Sequence, residues 1–386
     1  MAADSYSLQP LQLAERIIQL LEQGRFSATY KYAVLIALMD LCLERMGEQG
    51  SPPTVLTTHE LAEKVISLYW PQCMPYSPSQ RDEGRLLSQG GSQKVQAEIL
   101  RLILDFKEVA QLNPAASLSL HRARAHAPDA WRKLLHEVEW KLIEMPLPRL
   151  QFVGRDEDRF LYEIAWQLEE RSGGERVSVR RREVTAYQLG KSSPFDNRIH
   201  LKPGVAEQLV QLSGVLRPLI HRQWAMMVAQ VNDMEESRLE QFLFGMDRIP
   251  LQPVQQGLIQ LQQRRCFYCR EPLRSDVQID HFIPWARHPD NSIENLVATH
   301  AACNQNKRDF LASVEHVSHW HARLEQEQDA LQALAEKVSW ESQQNRVLSV
   351  ARAIYYPLPP QTRLWHAREL FVPFEKERVQ RILSKK

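Results

Sequence analysis

Between residues 264 and 310 the chain reads RRCFYCREPLRSDVQIDHFIPWARHPDNSIENLVATHAACNQNKRDF, and these side chains have types and spacings that suit metal chemistry. Cys266 and Cys269 form one pair near its start, and His300 and Cys303 form another near its end. Two intervening residues let both members of a pair grip one ion from a tight turn, and four such N/S donors complete a closed tetrahedral zinc site. Four protein ligands leave no open coordination position, so the Zn2+ expected here is structural. The chain has five cysteines in 386 residues, and three of them fall in this stretch. In a reducing compartment such clustering points to a metal rather than to a disulfide framework.

What lies between the two pairs has a pattern of its own. Val277-Gln278-Ile279-Asp280-His281 reads as a strand ending in an acid and a histidine, after which Phe282-Ile283-Pro284 turns away. Asn295-Leu296-Val297 begins a second short strand, and Asn304-Gln305-Asn306-Lys307 opens a helix directly after the last cysteine. Strand, strand and helix with polar groups converging between them would form a pocket for a small hard cation.

On these residues the segment resembles the HNH, or ββα-metal, endonuclease family. That family's pattern is a CxxC, an acid followed by histidine, an Asn-Leu, and a second zinc pair followed by histidine or asparagine. By that resemblance His281 is the general base, Asn295 braces the loop that presents it, and Asp280 and Asn304 bind the catalytic metal. Asn304 stands where the family name's final histidine stands, which makes this an H-N-N variant, and His300 replaces a cysteine of many members. An asparagine carbonyl suits Mg2+ better than softer ions, so Mg2+ is expected, with Mn2+ as a substitute. The implied chemistry is phosphodiester hydrolysis: a histidine with near-neutral pKa activates water, and a cation stabilises the crowded phosphate and the leaving oxygen. One base and one cation imply one cut per site, hence nicking. Lys307, Arg308 and Arg287 are the candidate nucleic-acid contacts, Lys307 foremost because it shares a helical turn with Asn304. DNA is the partner expected, with RNA left open. The resemblance also suggests bacterial restriction or phage defence, with protein partners in such a system.

Two other readings stay beside this one. A zinc-stabilised adaptor would bind nucleic acid without cutting it, and the CxxC pairs alone fit it equally well. A nuclease subunit could be silent without its partner complex. The ordered series Asp280-His281, Asn295, Asn304 favours the nuclease, since a motif gains weight from its context. His288, His316, His319 and His321 read as surface or packing residues. The basic clusters His121–His126 and Arg180–Arg182 read as solvated faces before they read as DNA tracks.

The rest of the chain must position this stretch. Its formal net charge is +1, so a nucleic-acid role must rest on local patches. The start MAADSYSLQP lacks the pattern of a signal peptide, and the apolar run Tyr32–Cys42 is too short for a membrane span and interrupted by Asp40. A cytoplasmic protein with no membrane partner is expected. Residues 9–46 read as two amphipathic helices broken at Gly24, one with Leu11, Ala14, Ile18 and Leu21 on its inner face, the other with Tyr30, Val34, Ala37, Leu38 and Leu41. Residues 47–58 read as a loop, followed by a helix over 59–69 and another through Val95, Ile99 and Leu102. A helix after Pro128 gives way to short β-rich runs between 149 and 201, and helices resume over 205–243. A helix over 253–264 leads into the metal-binding stretch. The fold class expected is mainly α with a small mixed α/β middle region and a C-terminal ββα-metal module with a zinc site. The divisions are 1–147 (helical), 148–250 (mixed, either separate or continuous with the first), 251–315 (HNH) and 316–386 (helical extension).

Overall fold

The computed structural model describes residues 9–23, 28–77, 84–90, 96–112, 119–153, 156–172, 174–235, 239–245 and 250–384. Gly24, Val95 and the first eight residues, on which three of the expectations above fall, lie outside them. The chain divides into two units: Met1–Cys42 with Pro53–Gly245, and Leu43–Pro52 with Met246–Lys386. Residues 148–245 of the expected middle region therefore share the first unit with most of the helical segment before them, the continuous alternative, while 246–250 fall in the second. Among the described residues no helix is long and apolar enough to cross a membrane.

The first unit is mainly helical. Helix Pro10–Gln23 buries Leu13, Ile17, Leu20 and Leu21; of the face expected from sequence only Leu21 is buried, while Ile18 is 38% and Leu11 77% exposed. Two apolar sets recur at helical spacing in this segment; the buried set has four large aliphatic side chains, whereas the other spends a position on Ala14. Helix Tyr30–Glu44 has no polar side, and the residues from Tyr30 to Leu43 are all buried. Residues 47–58 were expected to form only a loop, but Val55–Thr57 is a strand, too short to show a period. It pairs antiparallel with Arg198–Leu201, whose other edge takes Tyr162–Ile164. Thr57 then caps helix Thr58–Tyr69 through a T-x-x-E box with Glu60, which satisfies backbone donors at the helix start.

Helices Glu98–Val109, Leu120–His126 and Pro128–Glu144 follow, then the small β pairs, then Arg181–Gln188, Val205–Asn232 and Leu239–Phe244. Trp224 anchors this core, its ring 5.2 Å from Tyr69 and 5.3 Å from Phe244. The buried Arg217 guanidinium pairs with Asp40. The basic clusters are partly used up by packing: Arg124 pairs with Glu63 and covers Trp131, and Arg181 pairs with Glu137 and covers Trp140.

The second unit carries the chemistry. Helix Gln252–Leu261 leads to the antiparallel hairpin Val277–His281/Leu296–His300, in register with Asp280 opposite Val297 and His281 opposite Leu296. Helix Ala301–Lys307 follows at once, then helices Val314–Gln326, Gln328–Val338 and Gln344–Tyr355. The expected helical extension also contains a second hairpin, Arg363–Ala367 with Leu370–Pro373, before the last helix Lys376–Leu383. Its runs are short, and the turn between them places Glu369 at a φ of 58°. The separate segment Leu43–Pro52 joins this unit through Glu44, whose carboxylate is 3.1 Å from His288 Nε2, and through the Glu48 carbonyl, which accepts from the Tyr356 hydroxyl at 3.3 Å. Gly50, at φ 82°, faces the Tyr356 ring so closely that an added Cβ would stand 2.8 Å from it.

Candidate metal centre and active site

The four zinc-type donors come together. One ligand atom each from Cys266, Cys269, His300 and Cys303 lies within 4.8 Å of all the others. Two turns bring this about. In the first, Cys266 N–H donates to Glu271 O at 2.9 Å and Arg270 N–H to Cys266 O at 3.0 Å, with Arg270 in the left-handed region at φ 64°. In the second, Ala301 N–H donates to Asp276 O at 3.1 Å as the strand passes into the helix. His300 turns Nδ1 toward Cys269 Sγ, 3.3 Å away, while Nε2 lies 3.2 Å from the Pro272 carbonyl. A histidine that donates one ring N–H to a carbonyl offers the other nitrogen to a metal, so the donor set fits a zinc ion. Contact with Cys303 pulls the Cys266 thiol down, as a thiolate that accepts from a neighbouring S–H is stabilised.

Beside this cluster Asp280 is almost buried, and its Oδ2 accepts twice: from the Tyr268 hydroxyl at 2.6 Å and from Lys307 Nζ at 3.0 Å. Oδ1 takes no part in those bonds. Lys307 Nζ also donates to the His281 carbonyl at 2.9 Å. The His281 ring is buried edge-on against Trp285, with Nε2 2.8 Å from Asn291 Oδ1. Burial lowers its pKa, more than the Asn291 bond and the Asp280 and Asp290 carboxylates raise it, so the imidazole is held neutral. Asn304 donates from Nδ2 to Gln278 Oε1 at 2.9 Å, which leaves its own Oδ1 outside that bond. Gln278 and Asp280 are two apart on one strand and so share a face. One carboxylate oxygen and one amide oxygen thus stay outside these bonds, and oxygen donors of this kind suit a hard cation. Asp280, His281 and Asn304 make no hydrogen bond with one another; each is held by a different neighbour.

Asn295 is fully buried and fastens the loop after the first strand. Its Oδ1 accepts from Ile283 N–H at 2.8 Å, and its Nδ2 donates to Ile283 O at 3.2 Å and to Asp290 O at 3.0 Å. The same loop is caged from outside by residues that sequence reasoning missed. Arg346 pairs with Asp290 at 2.9 Å, Trp340 donates to Asn291 O at 2.6 Å, and Arg323 and Trp320 donate to Glu294 O. The Glu294 carboxylate accepts from Ser342 and from Gln343 N–H. No motif marks these partners, because they sit 26 to 56 residues from the loop they hold.

Lys307 departs from its expected place at a phosphate backbone. It is wholly buried, and its ammonium is spent on Asp280 and the His281 carbonyl. A lysine is buried only when it is paired, and Asp280 supplies the pair. Arg287 and Arg308 are exposed. His288, His316, His319 and His321 pack: His288 faces Glu44, His316 stacks on Trp365, His319 stacks on Phe267 and accepts from Arg270 at 2.6 Å, and His321 lies 3.4 Å from Glu325.

Residues 10–243 match a family model described as a domain of unknown function (DUF8808), which spans more than half of the chain. The chain belongs to this family. Within this member of the DUF8808 family, residues 266–313 match a second model, that of an HNH endonuclease, and the matched stretch runs from the first zinc-type cysteine to just beyond helix Ala301–Lys307. The C-terminal unit therefore carries a nuclease-type domain beside a Cys3His group able to hold a metal, and nucleic acid is the substrate class such a domain implies. No curated protein and no solved structure matches the chain.

Proposed function

We propose that the chain is a metal-dependent endonuclease that hydrolyses phosphodiester bonds of DNA, nicking one strand per active site. The observation that carries this reading is the pairing of spare oxygens with a neutral base. Asp280 and Asn304 each keep one oxygen outside their hydrogen bonds, and His281, the residue after Asp280, has a buried imidazole whose pKa burial lowers. Asn291 Oδ1 can only accept, so His281 Nε2 carries the proton and Nδ1 is the basic nitrogen. On this reading His281 removes a proton from the attacking water, and Asp280 and Asn304 hold a Mg2+ ion, with Mn2+ able to replace it. The cation, when bound, neutralises charge on the phosphate and the leaving oxygen. Asn295 keeps the loop behind His281 from shifting, and the Cys3His group holds Zn2+ as a structural element. Arg287 and Arg308 remain as contacts for the nucleic-acid backbone.

The test is nicking of supercoiled plasmid by the full chain with and without Mg2+, alongside His281→Ala and Asn304→Ala. Conversion to open circles that needs Mg2+ and is lost in both variants is the expected result. General acid–base groups contribute on the order of 10²–10⁴-fold, so the His281 variant should fall by that much. Wild-type cleavage by His281→Ala ends the proposal.

A further inference from the structure

Resting on the cation site just proposed, we infer that Tyr268 is a positioning residue for that site, acting through Asp280 and thereby tying the zinc knuckle to the catalytic carboxylate. Tyr268 lies between Cys266 and Cys269, so its backbone is fixed by the same turn that presents the two thiols. Its ring is buried and wedged edge-on against Phe267, His316 and Trp365, with centroids 5.1, 5.2 and 5.1 Å away. Three rings confine it, and its hydroxyl is delivered to Asp280 Oδ2 at 2.6 Å.

For packing alone a phenylalanine would serve, and it would carry no hydroxyl in need of a partner. The hydroxyl adds one thing, a short bond to one particular carboxylate oxygen. Because Lys307 bonds the same oxygen at 3.0 Å, Oδ2 is occupied and Oδ1 is the oxygen left for a cation, so on this inference Asp280 binds through one oxygen. The second proposed donor is tied to the knuckle as closely, since Asn304 is the residue after Cys303. Each cation donor is therefore one peptide bond, or one hydrogen bond and a neighbouring residue, from a zinc ligand.

The experiment uses the full chain and Mn2+ as the probe. Tyr268→Phe, Asp280→Ala and the wild type are compared for Mn2+ affinity by calorimetry, for zinc content by atomic emission, and for thermal unfolding. In Tyr268→Phe, zinc content and melting should match the wild type while Mn2+ affinity falls about 10- to 100-fold, the usual effect of removing a group that orients a metal ligand. Asp280→Ala should lose Mn2+ binding. Wild-type Mn2+ affinity in Tyr268→Phe, with binding lost in Asp280→Ala, overturns this inference and leaves the cation site standing. Loss of zinc or of the fold in Tyr268→Phe assigns the hydroxyl a purely structural task and also overturns it. Wild-type affinity in Asp280→Ala overturns both the inference and the cation site beneath it.

Discussion

On the proposed reading, a single amide selects the basic nitrogen of His281. Asn291 Oδ1 accepts from Nε2, and Asn291 is itself held by the bond from Trp340 to its carbonyl. Replacing Asn291 with leucine removes the acceptor and lets the ring adopt either tautomer. Nicking by Asn291→Leu should slow by at least about 10-fold, part of the 10²–10⁴-fold that a well-placed base contributes, with Mn2+ affinity unchanged. Equal steady-state rates for variant and wild type would remove Asn291 from the account. The four zinc-type donors were legible because they occur in a fixed order at short spacings, and the same order drew attention to Asp280, His281, Asn295 and Asn304. Asn291, Tyr268 and Lys307 were not. Asn291 reads as a turn residue and Tyr268 as filler between cysteines, and their value depends on distances that only the hairpin register creates. The charge of Lys307 suggested a nucleic-acid phosphate, since sequence does not say that a carboxylate waits for it inside.

The loop between Phe282 and Asn295 is the least self-sufficient element of the site. It has almost no regular structure, and it is held by Asn295 from within and by the C-terminal helices from without. The main outer tie joins Arg346 to the fully buried Asp290. Burial pushes that carboxyl up, but Arg346, His288 and Ser292 together outweigh it and hold it well below the ordinary carboxylate range. Breaking a buried pair by removing one partner costs on the order of 3–5 kcal/mol, and Arg346→Met should lower stability to urea by about that much. The sign of the pH effect follows from the lowered pKa in the folded chain. This contribution is complete above the unfolded carboxylate pKa of about 3.9 and is lost as pH falls below it. The gap between wild type and Asp290→Asn should therefore be wide at neutral pH and shrink in acid, and a gap that does not depend on pH would show that the carboxylate charge is unimportant. The extension was read from sequence only as helical, which left out the hairpin Arg363–Pro373, whose strands are too short to carry a period. Likewise, helix Pro10–Gln23 offered two apolar faces, and only packing chose between them.

At the scale of the chain, the boundary that matters does not follow sequence order. The second unit consists of residues 246–386 together with Leu43–Pro52, a stretch inside the region matched by the DUF8808 model. Zinc should be part of what keeps this unit folded, because ligands that meet only in the folded state convert binding into folding free energy. Stripping zinc with a thiol reagent and chelator should lower the melting temperature, and re-addition should restore it; a chain whose melting ignores zinc would remove the metal from its stability. Expression of residues 246–386 alone should give a domain less resistant to urea than the same unit within the full chain, because His288 then loses Glu44 and Tyr356 loses the Glu48 carbonyl and the turn at Gly50. Glu44→Gln in the full chain should reproduce part of that loss. The nuclease end is consequently a poor candidate for cut-and-paste transfer: a fusion joined at residue 246 would leave ten of its residues behind in the donor, and recombination that respects this fold has to carry both pieces or neither.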